Sequence, residues 1–594
     1  MFAPIFISIG VMLYFAMSLE PPVWTALCFL AMASGAAFLR RRAAWAFLFL
    51  AAGFSAGVIK VAVLDTRLIS VREPAGRIEG RVTFVERMED GIRVTVDRVG
   101  GRPDLDSVRV RFRGEHEAPR GWSRVAFEAA LLPPFPPACV GCFDFTRYSY
   151  FAGISAVAGG NGTWEYSADS GAAGFGFMDM RERINARIFA SVSGDAAGVL
   201  ASMSTGERHA ISAGVNDAFR SAGIVHLVSI SGFHMGIVAA IVFFFARLML
   251  AFTPLAMRMN TKKPAAAIAI VATFLYLIMS GAHFPAIRAF TMTTMAMIAV
   301  MLDKNPFSMR FVAAALSVML VLWPEGILNP GFQMSFTAVI VLIKLYEHRE
   351  KWMAKSKFWT MVRANALAAG LIEIALTPFI IYSFNVVQIY GILGNMIAMP
   401  LASFVIMPAI VAAMLSMPFG LDPVFWKAAG FGVAAVTEWA RIVGGMPGSS
   451  TLVPGMEVWQ MLVIAAGIYT TILWKARYGV PVMCAGYLLW ALWPKPDVFV
   501  DKFGTMFGIK QGDTMMLANL SRFNPNRMTV EAWAGRFGVT RVEETDAREF
   551  VIRGRKFKVY RRPSKLGSEI YVRPDGERAR YVADWAGRRK WAPK

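Results

Sequence analysis

The sequence predicts a multi-pass α-helical membrane protein with a periplasmic OB-like β-barrel domain and a small β-rich C-terminal domain. Three observations carry that prediction. Of the 594 residues 56% are hydrophobic, with a mean hydropathy of +0.47, well beyond the soluble range. Runs such as "WAFLFLAAGFSAGVIKVAVL" and "VWQMLVIAAGIYTTILW" approach the roughly 20 apolar residues that a helix needs to cross a bilayer. Between the third such run and the fourth, the pattern changes to strict alternation, the mark of half-buried strands.

Residues 1–64 hold three N-terminal transmembrane helices. The first run, Met1 to Met17, has no basic start and no small-residue cleavage site, so it reads as a retained span. Residues 65–187 follow as the OB-like β domain. In "GRIEGRVTFVER", "GIRVTVDRV", "SVRVRFRG" and "SRVAFEAALL" apolar residues alternate (Ile92, Val94, Val96; Val108, Val110, Phe112), and "ISAVAGGNGTWEY" supplies a fifth strand. A small barrel is the natural closure. Its charges nearly cancel, and every cation between Lys60 and Lys262 is arginine. Residues 188–225 read as an amphipathic helical linker, and 226–493 as the main membrane block, broken by Pro285, Pro330, Pro378, Pro400 and Pro408. Broken helices at membrane depth need protein or a wet cavity around them. Residues 386–446 fit either two full spans or a re-entrant hairpin plus an amphipathic helix. Residues 494–594 carry a net charge of about +10 and alternate again, predicting a basic β-rich domain.

The chain's net charge of +21 raises the question of nucleic acid, but its clusters sit between apolar runs. "RRR" at 40–42, "MRMNTKK" at 257–263, "HREKWMAKSKFW" at 348–359 and "WKAR" at 474–477 all become cytoplasmic under the positive-inside rule. That topology puts the N-terminus inside, and the barrel and C-terminal domain outside. Cysteine usage agrees. "CVGC" (Cys139, Cys142) lies in the outer segment and reads as a structural disulfide of an oxidising periplasm. Cys28 and Cys484 fall in membrane runs.

The chemistry-bearing stretch is "HLVSISGFHMGIVAAIVFFF", from His226. A metal is disfavoured by spacing: His226 and His234 are eight apart, with no HExxH, and His116, His209, His283 and His348 are scattered. No metal, cofactor or catalytic residue is expected. "SISGFH" also resembles the serine of an intramembrane protease, with His283 as the available base. The third reading is a polar path through Ser229, Ser231, His234, Ser280, His283, Arg288, Gln333, Ser335, Glu373, Gln388 and Asn395. Arg288 stands out because a charge at bilayer depth usually faces a partner or a wet cavity; Glu373 is the expected partner.

"GIVHLVSISGFHMGIVAA", "SGAHFPAIRAFTM", "LNPGFQMSFTAVIVL" and "GNMIAMPLASFVIMP", in this order, resemble the signatures of the ComEC competence family, the inner-membrane DNA-uptake channel. "GCFDFTRYSYFAGISA" is similar to the end of that family's N-terminal OB-like domain. The resemblance implies passage of single-stranded DNA from periplasm to cytoplasm during natural transformation, by a channel and not an enzyme. It makes 226–493 the channel domain. Implied partners are a periplasmic DNA receptor and a cytoplasmic helicase or translocase, since no GxxxxGK[ST] loop is present; a homodimer is allowed. Many members end in a metallo-β-lactamase-like domain. The last hundred residues here contain no histidine, so that nuclease is not expected. Phe84, Phe112, Trp122 and Phe127 are the barrel's candidate stacking platform.

The expected pore or DNA path is His226, Ser229, Ser231, Gly232, His234, Gly236, His283, Pro285, Arg288, Gln333, Ser335, Glu373 and Asn395. In it Gly232 and Gly236 allow close helix approach, and Arg288 offsets phosphate charge. The competing classes are an intramembrane serine hydrolase and a transporter of small anions or lipid precursors.

Overall fold

The structure is a computed structural model. It describes residues 3–574 except 39–41, 89, 115, 117–118, 120–122, 140, 167–176, 255–256, 258–259, 354–355, 496, 501–505, 520–526, 546, 548, 553–554 and 565–566. Trp122, parts of the basic loops and 575–594 therefore lie outside the described residues. The chain divides into two compact units, Met1–Pro133 with Tyr150–Glu373 and Gln388–Ser449, and Pro134–Ser149 with Ile374–Val387 and Ser450–Lys594.

The first unit opens with α1 (Ala3–Ala16), α2 (Val23–Phe38) and α3 (Arg42–Leu64). Glycine sets how closely α1 meets α3. A Cβ on Gly10 would lie 2.0 Å from the Leu50 carbonyl oxygen, and one on Gly53 2.1 Å from that of Ile7. The two backbones touch where neither residue has a side chain, the small-residue packing of membrane helices. Among the described residues of these three helices, only Trp45–Leu64 within α3 is long and apolar enough to span. At about 21 Å by the helical rise, α1 is shorter than the roughly 30 Å hydrocarbon core, and the apolar part of α2 is also short.

The barrel comprises β1 (Ala75–Met88), β2 (Gly91–Asp97), β3 (Ser107–Arg113), β4 (Arg124–Leu132) and β5 (Ala156–Tyr166). It closes in the order β1-β2-β3-β5-β4, with β1 antiparallel to β4 and β3 parallel to β5. The alternation read from the sequence sorts the faces. Ile92, Val94, Val96, Val108, Val110 and Phe112 fill the interior with Phe127, while cross-strand pairs such as Arg81–Asp97 lie outside it. Two aromatic expectations change here. Phe112 and Phe127 are 1% and 3% exposed and stack edge to face inside the barrel, so they are core residues and not platforms.

The segment expected to be a linker holds α5 (Phe177–Ser191), α6 (Asp195–Thr205) and α7 (Ala213–Ser221), after the short α4 (Phe145–Phe151). α7 is amphipathic, with Val215 and Phe219 inward. α6 is not: Ala197 to Thr205 are all buried. Its small residues, with hydroxyls bonded back to the helix (Ser202 to Val199, Thr205 to Ala201), let it serve as the centre of the unit's core. Within 188–225, α6 is therefore core and not tether.

The membrane block follows as α8 (Gly232–Ala251), α9 (Lys262–Met279), α10 (Phe284–Met301), α11 (Met309–Leu322), α12 (Pro330–Glu347), α13 (Lys357–Phe384), α14 (Gly391–Leu401), α15 (Met407–Ser416) and α16 (Asp422–Gly444). Among the described residues six stretches are long and apolar enough to cross a membrane: Trp45–Leu64, α8, α9, α10, α13 and Gly391–Phe419. The last is α14 and α15 joined through a π turn at Ala402–Ile406, with Pro400 and Pro408 on either side, the usual causes of a bend. α16 is amphipathic: Asp422, Trp426, Ala429, Val433, Val436, Ala440 and Val443 make one buried stripe. Ion pairs Arg187–Asp422 (3.1 Å) and Arg441–Asp195 (3.2 Å) fasten it to α5 and α6. Such pairs suit an amphipathic helix better than a span.

In the second unit, helices Val458–Leu473 and Ala476–Leu492 meet through Gly467, Gly479 and Gly486. A four-stranded sheet follows, with the helix Arg527–Phe537, then three antiparallel strands within 549–574. Cys139 and Cys142 are disulfide-bonded. Cys139 packs among Met506, Met515, Leu517, Trp533 and Phe537, and the Trp533 indole donates to the Ala138 carbonyl at 2.7 Å.

Candidate functional site

His226 sits in a 3₁₀ turn, Val225–Val228, and the helix begins only at Gly232. A helix start leaves backbone N–H groups without partners, and the serine and histidine here answer that need. Ser231 is the N-cap and His234 stands at N3; each side chain meets the other's backbone in a capping box. The Ser231 N–H donates to His234 Nδ1 at 3.2 Å, with Ser231 Oγ 3.0 Å away. Accepting at Nδ1 leaves the imidazole proton on Nε2, and His234 is fully buried. Ser229 is half-buried, and His226 is exposed. Gly232 and Gly236 do not serve close approach: a Cβ on either would meet nothing within 4 Å.

Arg288 lies on α10, one turn past Pro285. It is 6% exposed, and its Nε and Nη1 have no hydrogen-bond partner. Its expected partner is elsewhere. The Glu373 carboxylate lies against the start of α14, where a Cβ on Gly391 would fall 2.8 Å from Oε1. Asn395 donates to the Gly391 carbonyl (2.8 Å) and Gln388 to that of Arg220 (2.8 Å), so these polar groups organise one helix start. Arg288 instead faces the beginning of α12, near Asn329 and Gly331. Gln333 on that helix donates to the Ile327 carbonyl at 2.8 Å, and Ser335, a half turn on, is half-buried. The expected path is thus three local groups: the His226–His234 turn, the Arg288–Gln333 notch and the Glu373–Asn395 cap.

A fourth group was not read from the sequence. Where β1 meets the start of α10, the Phe84 ring stands edge-on to His283 at 5.1 Å. Around His283 act the charges of Arg181, Glu86, Arg208 and Arg109, drawn from α5, β1, the turn after α6, and β3. Arg87 and Arg181 both act on Glu207. A buried network holds the floor: Thr205 donates to Asn185 Oδ1 (2.7 Å), Asn185 to Glu207 Oε2 (3.0 Å), and His209 Nδ1 stands 3.0 Å from Oε1. Burial would raise the Glu207 carboxyl, but His209, Arg181 and Arg87 outweigh it and hold the group below its ordinary value. The charges of Arg109, Arg181 and Arg208 reach His283, and those of Arg87 and Arg181 reach Glu207. In this electropositive collar Arg181 Nη1 and His283 Nε2 both lie 3.3 Å from where a Cβ on Gly281 would stand. The arginine positions, 87, 109, 181 and 208, share no spacing; the arginine-only composition of this region was the single available hint. Among the described residues, no three His, Cys, Asp or Glu side chains are grouped to hold a metal ion.

Apolar span-length helices and a closed five-stranded barrel together define a helical membrane protein with a barrel domain. Residues 203–478 match the family model described as Competence protein. Three curated relatives are similar over part of the chain. ComE operon protein 3 of Bacillus subtilis is 23% identical over 46% of this chain and 33% of its own length. Recombination protein 2 of Haemophilus influenzae is 22% identical over 51% and 36%, and Competence protein ComA of Neisseria gonorrhoeae 29% identical over 40% and 34%. The chain spans about a third of the length of these relatives. No solved structure matches it. Residues 203–478 are thus similar to the competence protein family, and the curated relatives that match over part of the chain are of the ComEC type.

Proposed function

We propose that this protein is an inner-membrane channel that passes single-stranded DNA from periplasm to cytoplasm during natural transformation. The N-terminus is cytoplasmic, and the barrel and C-terminal domain are periplasmic. The observation that carries the reading is the arginine collar at the junction of β1 and α10. Arginine forks suit phosphate oxygens, and neutralising phosphates releases counterions, which drives binding of a polyanion. Phe84 beside His283 offers the one aromatic pair at the same place, suited to base stacking. The barrel's strand order supports an OB-like assignment. Energy for transport comes from a cytoplasmic helicase or translocase, a periplasmic receptor delivers the strand, and the channel is built from one copy or two.

The hydrolase alternative draws no support from Ser231. Its contact with His234 is a helix cap, and His234 Nε2 has no acid to orient it. The test is uptake of labelled DNA in a deletion strain complemented with wild type or with Arg181→Gln/Arg208→Gln. Uptake restored by wild type and crippled in the double variant supports the channel. Normal uptake without the protein ends the proposal, and a small-anion or lipid-precursor transporter then becomes the reading to examine.

A further inference from the structure

We propose that Arg288 and the first turn of α12 form a seat for one phosphodiester anion. The guanidinium is 6% exposed with two nitrogens unpartnered, and among the described residues it makes no ion pair. Glu325, just before α12, pairs with Lys60 at 3.9 Å instead. The Phe284 ring, 5.4 Å from the guanidinium carbon, supplies only a weak attraction.

What Arg288 does face is positive. A Cβ on Gly331 would fall 3.2 Å from Nη2 and 3.4 Å from Nη1, so the fork lies over the second residue of an 18-residue helix. At that end the Asn329 side chain takes the Phe332 N–H at 3.2 Å, and Pro330 has none to give. The Gly331 N–H remains a first-turn donor with no helical acceptor. A cation held against the positive pole of a helix is unfavourable for both. An anion between them satisfies both. Donors arriving from two directions, fork and helix end, suit a tetrahedral oxyanion better than a planar carboxylate, and the Phe284 face suits the ester carbons. Gly331 is what lets the fork and the helix end share one ligand.

The inference deepens the proposed function and rests on it only for the source of the phosphate, since a nucleic-acid backbone and a lipid headgroup carry the same group. The test uses the full chain, delipidated in maltoside micelles. Three probes are applied: dimethyl phosphate, a labelled oligo-dT and short-chain phosphatidylglycerol. Dimethyl phosphate is expected to raise the melting midpoint of wild type but not of Arg288→Gln, while Arg288→Gln without probe melts higher than wild type. If DNA is the source, the salt slope of oligo-dT binding falls by about 0.7 in Arg288→Gln, one phosphate contact on a single strand, and Gly331→Ala weakens binding as well. If instead only the phosphatidylglycerol response depends on Arg288, the seat stands with lipid as its occupant. If no probe distinguishes Arg288→Gln from wild type, the seat is overturned, and oligo-dT binding by both would leave the proposed function intact. Should Arg288→Gln fail to fold, Arg288→Met, which keeps a long unbranched stem without the charge, carries the same comparison.

Discussion

Removing half of the arginine collar should halve the collar's share of the salt dependence of single-strand binding. Arg87, Arg109, Arg181 and Arg208 converge around His283 and Glu207. If each meets one phosphate, the collar contributes about −2.8 to the slope of log K against log salt, at roughly −0.7 per contact on a single strand. Raising salt fourfold, from about 50 to 200 mM, then costs about 50-fold in affinity. The double variant Arg181→Gln/Arg208→Gln leaves two collar contacts, a contribution of about −1.4 and a loss of about sevenfold from the collar over the same range. Glu86 and Glu207 already share part of this charge, so these are upper values. The assay is fluorescence anisotropy of labelled oligo-dT with the full chain in maltoside micelles at several salt concentrations. A slope that stays at its wild-type value in the double variant refutes the assignment of the collar to phosphate.

The remaining predictions concern what holds the site in place. Glu207 is depressed below its ordinary carboxylate value, so its stabilisation is present above the unfolded-state value and lost as pH falls through the folded one. Below about pH 4, the ordinary carboxylate range, wild type should therefore lose its stability advantage over Glu207→Gln; thermal melts from neutral to acid pH check this, and parallel curves contradict it. Gly53→Ala puts a Cβ about where the Ile7 carbonyl oxygen lies, 2.1 Å away, and should destabilise by about 1–3 kcal/mol, the usual cost of overpacking, read as a lowered melting midpoint. Ser231→Ala removes half of a capping box and should cost about 1 kcal/mol of stability while leaving oligo-dT affinity unchanged; abolished activity on a peptide substrate would instead revive the hydrolase class.

Much of the architecture was legible because local periodicity dictates it. The alternation of Ile92, Val94 and Val96 needs no tertiary knowledge to place one face inside a barrel. The aromatic platform misled for the same reason: Phe112 and Phe127 keep strand register with the core valines, and register outweighs any functional reading of a ring. α6 was misjudged because small residues and hydroxyls look polar along a sequence, yet they bury well once the hydroxyls bond back to their own helix. Pairing Arg288 with Glu373 followed from charge alone. The cost of a bare helix start at Gly391 decided where that carboxylate went, and nothing along the chain discloses which helix start an acid will cap. The collar lay beyond reach because it joins four segments through tertiary contact.

His283 and Arg288 are five residues apart, and α10 begins between them, so about four helical rises, roughly 6 Å, plus one extended step separate them along the axis. The two basic features differ in how they are compensated. Collar charge is shared with Glu86 and Glu207, which lowers the cost of leaving it unoccupied and keeps its hold on an anion weak and sensitive to salt. Arg288 has no such compensation and lies in a buried place where screening is slight. On the proposed function, a strand would first meet the forgiving set and then the demanding one, a turn and a half farther along the same helix. The order has a physical consequence: high salt should weaken capture at the collar well before it weakens the Arg288 contact. In a salt titration of oligo-dT binding, the loss caused by Arg288→Gln should therefore shrink less from low to high salt than the loss caused by the double collar variant. The same dependence in both would mean that the two features act as one undivided surface.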